Sequence, residues 1–396
     1  MILTRKQEEG LKIAVERYKA HEKYTVISGY AGTGKSTLIK FIIAALNLSP
    51  EDVCYIAFTG KAVQVLKQKG CPNAMTAHKL LYKAKTLPNG KYKFEPLSYI
   101  GDYKVIVVDE ISMLPSVMWE RLLMQDVYVI ACGDPFQLPP IDSYYDNHVL
   151  EKPHIFLDEI MRQAYDSEII RFSMWIREGK PINMFPVVNE QVMFIRYNDI
   201  NTGLYEWADQ IICATNKQRQ NINTTVRQIK GFGPYPQIGD KIISLHNQWD
   251  FLSDGFDMNP ITNGSIGIIE KMNQKYIQLP YWMKTPNMPI LYTTMTDESG
   301  NHFSDIPIDY TALTTGNKFL TPQQESFLRK MDKLPDPPFE FTYAYAITGH
   351  KGQGSEWNKV LAMEERFPNE REEHARWCYT VATRASEKLV WTQVKN

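Results

Sequence analysis

The chain has 396 residues, too many for a single core, so two to four domains are expected. Its 43% hydrophobic and 22% charged residues suit a soluble globular protein. The absence of any run of eighteen apolar residues excludes a spanning helix, and the N-terminus, Met1-Ile-Leu-Thr-Arg-Lys6, lacks a secretory h-region. A net charge of −1, from 44 basic and 45 acidic residues, neither calls for nor excludes a nucleic-acid partner. Cys54, Cys71, Cys132, Cys213 and Cys378 show neither C-x-x-C nor zinc-site histidine spacing. They read as small core residues in a reducing cytoplasm.

In chain order, Tyr24–Ser28 is an apolar, β-branched run that predicts a buried strand, and Thr37–Leu46 predicts a helix. Between them stands Gly29-Tyr-Ala-Gly-Thr-Gly-Lys-Ser36, which fits G-x-x-x-x-G-K-[ST]. Its glycines let the backbone turn its N–H groups toward a polyphosphate, Lys35 reaches the terminal phosphates, and the Ser36 hydroxyl can ligate Mg²⁺. Gly29, Gly32, Thr33, Gly34, Lys35, Ser36 and Thr37 are therefore the predicted nucleotide-binding residues, with Lys35 also catalytic.

Three further apolar runs, Val53–Phe58, Val105–Val108 and Val127–Cys132, read as parallel strands covered on both faces. Each leads into a polar or glycine-bearing stretch: Thr59-Gly-Lys61, Asp109-Glu110 and Gly133-Asp-Pro-Phe-Gln137. Ligands of open α/β sheets bind beyond the carboxyl ends of the strands, so four chemical loops should converge on one edge. Asp109 is expected to hold a metal with Ser36, and Glu110 to orient or deprotonate a water. Gln137 is placed to sense the terminal phosphate. Pro88-Asn-Gly-Lys91, inside Tyr82–Ile100, carries an Asn-Gly turn signal and predicts an inserted basic β-hairpin.

Gln210–Thr215 predicts a strand and Asn216–Ile229 a polar helix, opening a second α/β layer. Phe341–Ile347, Lys359–Met363 and Leu389–Val394 are its further strands. Between them, Lys241–Leu245, Ile266–Ile269, Tyr276–Leu279 and Ile290–Thr294 are short strands suggesting a small inserted barrel. Gln323–Lys333 with Pro335-Asp-Pro-Pro338 reads as a short helix and a return linker. Arg162 and Arg384 lie outside the first sheet and could stabilise the charge developed in phosphoryl transfer.

This order of motifs resembles the superfamily 1B helicases of the RecD and Dda branch, over nearly the whole chain. Gln7 matches the residue that reads adenine in that family. Ala57-Phe-Thr-Gly-Lys61 and Thr76-Ala-His78 resemble its strand-contacting motifs Ia and Ib. Asp109-Glu110 matches motif II, Gly133–Pro140 motif III, Arg162 the motif IV arginine, Thr348–Ser355 motif V, and Tyr379–Arg384 motif VI with its arginine finger. The resemblance implies a fold of two RecA-like P-loop domains, ATP with Mg²⁺, and 5′ to 3′ translocation on single-stranded DNA. It also implies a duplex-splitting hairpin in the first domain and an SH3-like β-barrel insert in the second. The expected layout is 1–81 and 101–155 for the first domain, 82–100 for the hairpin, 156–235 and 339–396 for the second domain, and 236–338 for the barrel. Candidate DNA contacts are Thr59, Lys61, Thr76, His78, Tyr92, Phe94, Trp249, Thr348, His350 and Lys351.

The expected partners are single-stranded DNA, single-strand/duplex junctions, and replication or single-strand-binding proteins. A cytoplasmic monomer without a membrane is expected, in the host cytoplasm if the chain is phage-encoded. Three alternatives stay open: an RNA helicase of the same superfamily, a nucleic-acid-stimulated ATPase switch that does not unwind, and a metabolic P-loop kinase. The last leaves motifs III, V and VI unexplained.

Overall fold

The computed structural model describes residues 3–86, 92–139, 148–161, 165–254, 259–281, 287–298, 300–330 and 338–393. They form two compact units. The first comprises Met1–Lys83, Glu95–Thr215 and Thr348–Asn396, and the second Ala84–Phe94 and Asn216–Ile347.

In the first unit, helix α1 (Arg5–Lys19) starts from a capping box in which Thr4 and Gln7 satisfy each other's backbone N–H groups. Strand β1 (Tyr24–Gly29) leads through the glycine loop into α2 (Lys35–Ala45). Next come β2 (Val53–Ala57), α3 (Gly60–Gln68), β3 (Ala74–Thr76) and α4 (Ala77–Leu81). Strands β4 (Tyr82–Thr86) and β5 (Tyr92–Pro96), most of whose residues are in the Ala84–Phe94 segment of the second unit, form a two-stranded sheet, while the predicted tip Pro88–Lys91 lies outside the described residues. Then follow β6 (Val105–Val108), β7 (Tyr128–Gly133) and β8 (Ile155–Leu157).

The six-stranded sheet runs β3-β2-β6-β7-β1-β8, and all its neighbours are parallel. Parallel strands buried on both faces must be apolar throughout, and β6, Val-Ile-Val-Val, is wholly buried. Val105 and Val107 pack on one face with Ile27, Leu38 and Ile42; Ile106 and Val108 pack on the other with Ile56 and Trp119. This two-sided burial fixes the sheet so that the carboxyl ends of β1, β2, β6 and β7 share one edge, as the sequence predicts.

A second parallel sheet in this unit contains β9 (Val192–Arg196), β10 (Gln210–Cys213), β19 (Trp357–Met363) and β20 (Ala385–Gln393), ordered β10-β19-β20-β9. The helix Arg371–Ala382 links β19 to β20 and packs against the helix Glu168–Arg177.

The second unit contains the helix Asn216–Ile229 and an antiparallel sheet. Its strands are β11 (Lys241–Ser244), β14 (Ile266–Ile277), β15 (Met288–Asp297), β16 (His302–Asp309) and β17 (Phe341–Tyr343), ordered β16-β15-β14-β11-β17. Strands β12 (Gln248–Leu252) and β13 (Pro260–Ile261) pair separately. Arg227 of the helix makes a buried bidentate pair with Asp240, which also accepts from the Tyr345 hydroxyl.

Several elements differ from the expectation. The α2 helix begins at Lys35, two residues early, because Gly34 takes a left-handed conformation (φ 78°) and starts it. The expected strands 266–269 and 276–279 are one strand, bulged between Ile269 and Lys271; its exposed polar middle concealed it. The expected strand 341–347 is broken. Phe341–Tyr343 joins the antiparallel sheet, and Ala346–Thr348 is a separate strand, β18. All five cysteines are free and buried. Among the described residues, no helix is long and apolar enough to cross a membrane.

Candidate nucleotide and nucleic-acid site

The glycine loop closes tightly over α2. A Cβ at Gly34 would stand 2.3 Å from Met161 Sδ and 2.4 Å from Gln7 Nε2, so only glycine fits. The Lys35 ammonium donates to the Gly29 and Tyr30 carbonyls at 2.7 and 3.0 Å. Ser36 is exposed in the first turn of α2, where backbone N–H groups have no helical partner and favour an anion. Gln7 is fully buried, accepting from Thr4 N and donating to the Thr33 carbonyl at 3.2 Å. In this arrangement its amide braces the loop.

Asp109 and Glu110 follow β6. Asp109 Oδ1 accepts from the Cys132 thiol at 3.2 Å and from Glu110 N at 3.1 Å. Burial pushes that thiol well above its ordinary value, with the Asp109 charge adding to the effect. Glu110 is a non-glycine residue at φ 48°, backbone strain of the kind that clusters at functional sites. Burial raises its carboxyl above the usual glutamate range, and the Arg384 charge opposes the rise. Its Oε2 is buried without a hydrogen-bond partner among the described residues. A carboxylate oxygen so placed is costly unless something outside the chain engages it. Together with the open helix start at Ser36, this fits a Mg²⁺–nucleotide.

Opposite stands Arg384. It is buried, donating to the Thr380 carbonyl, the Ser355 carbonyl and Thr383 Oγ1, and its Nη1 lies 3.9 Å from Glu110 Oε1. Five residues earlier, the Tyr379 hydroxyl donates to Asp134 Oδ2 at 2.6 Å and accepts from Ala31 N at 2.8 Å. One phenol thus ties the glycine loop, the segment after β7 and the helix preceding Arg384. Leu138 extends the connection: its N–H donates to Thr380 Oγ1 and its carbonyl accepts from Gln353 Nε2. Gln137, next in line, is half-buried.

The strand-contact candidates fall into two groups. Thr59 caps α3 and Thr76 caps α4, so each hydroxyl accepts a bond from its own helix. The Lys61 ammonium sits 4.1 Å over the Trp357 ring, joining the segment after β2 to the strand after Ser355. His78 lies between Phe58 and Tyr82, both rings 5.8 Å away, and burial lowers its value to about 4. His350 is lowered by burial too, and Thr348 and Lys351 are half-buried. Arg162 and the side chains of Tyr92, Phe94 and Trp249 lie outside the described residues.

Tyr379 and Asp134 stand inside the quoted motifs, yet their link is invisible in sequence because it spans 245 positions. Arg177 carried no signal at all. It stacks 3.7 Å from the Tyr30 ring, and its Nη1 is buried without a hydrogen-bond partner among the described residues.

Residues 3–196 match the model described as an AAA domain, and residues 343–391 match the UvrD-like helicase C-terminal domain. The chain is 31% identical over 168 residues to the ATP-dependent RecD2 DNA helicase of Deinococcus radiodurans, covering 41% of this chain and 22% of that protein. It is 29% identical over 146 residues to the ATP-dependent DNA helicase dda of Enterobacteria phage T4, covering 35% and 33%. The chain therefore spans a third or less of these relatives' lengths. Among solved structures, Bacteroides Pif1 bound to ssDNA matches with TM-score 0.55 at 18% identity, over 100% of this chain and 93% of that one. Pif1 helicase from Bacteroides in complex with ADP-AlF3 and ssDNA matches with TM-score 0.53 at 18%, over 100% and 94%. At that identity the likeness establishes the α/β fold with its parallel sheets.

Proposed function

We propose that the chain is a superfamily 1B helicase of the RecD and Dda branch, an ATP-driven motor that moves 5′ to 3′ on single-stranded DNA and parts duplex DNA. The observation that carries this reading is Arg384 facing Glu110 while Tyr379 joins the glycine loop to Asp134. Such an arrangement makes the hydrolytic acid and its neutralising cation depend on one another.

In this reading Lys35 leaves the Gly29 and Tyr30 carbonyls for the terminal phosphates. Ser36 and Asp109 would hold Mg²⁺, which would neutralise phosphate charge there. Glu110, at the strained turn, orients and deprotonates the attacking water. Arg384 stabilises the charge that develops, and Arg162 is proposed as its companion. Gln137 senses loss of the terminal phosphate. The bonds of Leu138 to Thr380 and Gln353 carry that change toward Thr348–Ser355, where Thr348, His350 and Lys351 are proposed to hold the strand. Thr59, Lys61, Thr76 and His78 complete the track, with Tyr92, Phe94 and Trp249 as further stacking candidates. Gln7, Thr33 and Thr37 complete the proposed nucleotide pocket.

The domain layout proposed from sequence goes with this function: two RecA-like domains, a hairpin over 82–100 acting as wedge, and an SH3-like barrel over 236–338. The two-stranded β4–β5 sheet and the antiparallel sheet of the second unit support it. Junction DNA is the proposed substrate, replication or recombination in the cytoplasm the proposed setting, and a bacteriophage the proposed source. The test is unwinding of 5′-tailed against 3′-tailed duplexes, with ATPase stimulation by matched DNA and RNA strands alongside. Unwinding of the 5′-tailed substrate with DNA-preferred stimulation is expected. RNA preference would make the chain an RNA helicase, and stimulation without strand separation would make it a switch.

A further inference from the structure

Away from the nucleotide site, the helix Arg371–Ala382 presents His374 and Cys378 one turn apart on one face. Glu364 meets them from the end of β19. His374 Nε2 lies 3.1 Å from Glu364 Oε1, and Cys378 Sγ lies 3.4 Å from His374 Nε2. All three ligand atoms fall within 4.8 Å of one another. They stand on the wall of a cavity of about 450 Å³, whose other walls include Ile176, Pro181, Lys180 and Arg371.

We propose that Glu364, His374 and Cys378 form a binding site for a zinc-like divalent cation, with the fourth coordination position open to the cavity. Thiolate, imidazole and carboxylate together suit Zn²⁺ and disfavour the hard, all-oxygen cations. Two of the three ligand separations agree with this. Zn–ligand bonds of about 2.0 to 2.3 Å at tetrahedral angles put N and O about 3.3 Å apart and S and N about 3.6 Å apart. The observed separations are 0.2 Å shorter in each case, within a small side-chain adjustment. The carboxylate is already oriented, since Trp391 Nε1 donates to Glu364 Oε2 at 2.6 Å and leaves Oε1 toward the histidine. Outer-shell bonds of this kind hold ligands in place in zinc sites. The cavity supplies the entry path. A bound ion would clamp β19 to the helix that carries Tyr379 and leads to Arg384, so the site would set the stiffness of that helix without touching nucleotide.

The test uses the full chain loaded with Zn²⁺ or Co²⁺ and dialysed. One ion per chain is expected by elemental analysis, with a thiolate-to-cobalt charge-transfer band in the near ultraviolet and a raised melting temperature. Cys378→Ser should abolish the band, and His374→Gln should weaken binding at least tenfold, while Cys213→Ser, at another buried thiol, should leave both unchanged. Where Cys378→Ser folds, a band unaltered in it overturns the site; should it fail to fold, the native protein decides alone, and absence of the band overturns the site. None of these readouts depends on ATP hydrolysis, so failure here leaves the motor reading intact.

Discussion

Tyr379→Phe removes one oxygen and nothing else, and the structure says what it costs. The hydroxyl makes a charge-assisted bond to Asp134 and accepts a neutral one from Ala31 N. Bonds of the first kind contribute about 1.5–3 kcal/mol and of the second about 0.5–1.5 kcal/mol. Two features reduce the loss: Asp134 keeps its bond from Phe136 N, and Ala31 is only half-buried, so water can reach it. A net destabilisation of about 2–3 kcal/mol is expected. Burial, reinforced by the Asp134 charge, pushes the phenol well above its ordinary value, so it stays a donor at any working pH. The variant should also hydrolyse ATP more slowly, because the glycine loop and the Arg384 helix lose their common tie. Urea denaturation and strand-stimulated ATPase on one preparation would measure both. An unchanged urea midpoint together with unchanged turnover would refute the linkage.

Other substitutions probe the same site. Glu110→Gln removes a buried charge, so it should fold at least as stably while hydrolysis falls about 10²–10⁴-fold, read as turnover with nucleotide affinity as control. Because Glu110 is raised by burial and held down by Arg384, the stabilisation from its protonation is complete below the unfolded value and lost as pH rises through the folded one. Activity needs the ionised form, so the acid limb of the rate profile should lie above that of an ordinary glutamate. Arg384→Ala should push the limb higher still; a downward move would contradict this assignment. Gly354→Ala places a Cβ 3.1 Å from both Glu110 Oε2 and Thr59 Oγ1 at φ 70°, so a loss of about 1–2 kcal/mol in stability is expected by thermal or urea unfolding. His78, lowered to about 4, is uncharged at neutral pH, so His78→Phe should keep single-strand affinity and His78→Ala should weaken it in an equilibrium titration. Equal losses in both would point to a histidine-specific contact.

What the sequence conveyed follows from physical range. The runs Tyr24–Ser28 and Val105–Val108 are legible because parallel strands buried on both faces admit only apolar residues. Glycine loop and acids are legible because their chemistry is local. The strand β14 was hidden by Lys271, Asn273 and Gln274, polar residues that pair with β15 while facing solvent. The contacts of Tyr379 and Arg177 are long-range and carry no periodicity. His374 and Cys378 show a related failure. The sequence shows no zinc-site spacing around Cys378, because the proposed site takes its third ligand from Glu364, ten residues before His374 and on another element.

The central claim is that Arg384 works on the charge created at the Glu110 side of the site. Turnover of ATP by Arg384→Ala in saturating single-stranded DNA tests it most directly, with nucleotide affinity and the melting temperature measured beside it. A fall of about 10³–10⁵ in turnover, with nucleotide affinity nearly kept and little recovery in Arg384→Lys, is the expected result. Turnover within a few-fold of the parent in a folded Arg384→Ala protein would contradict the account.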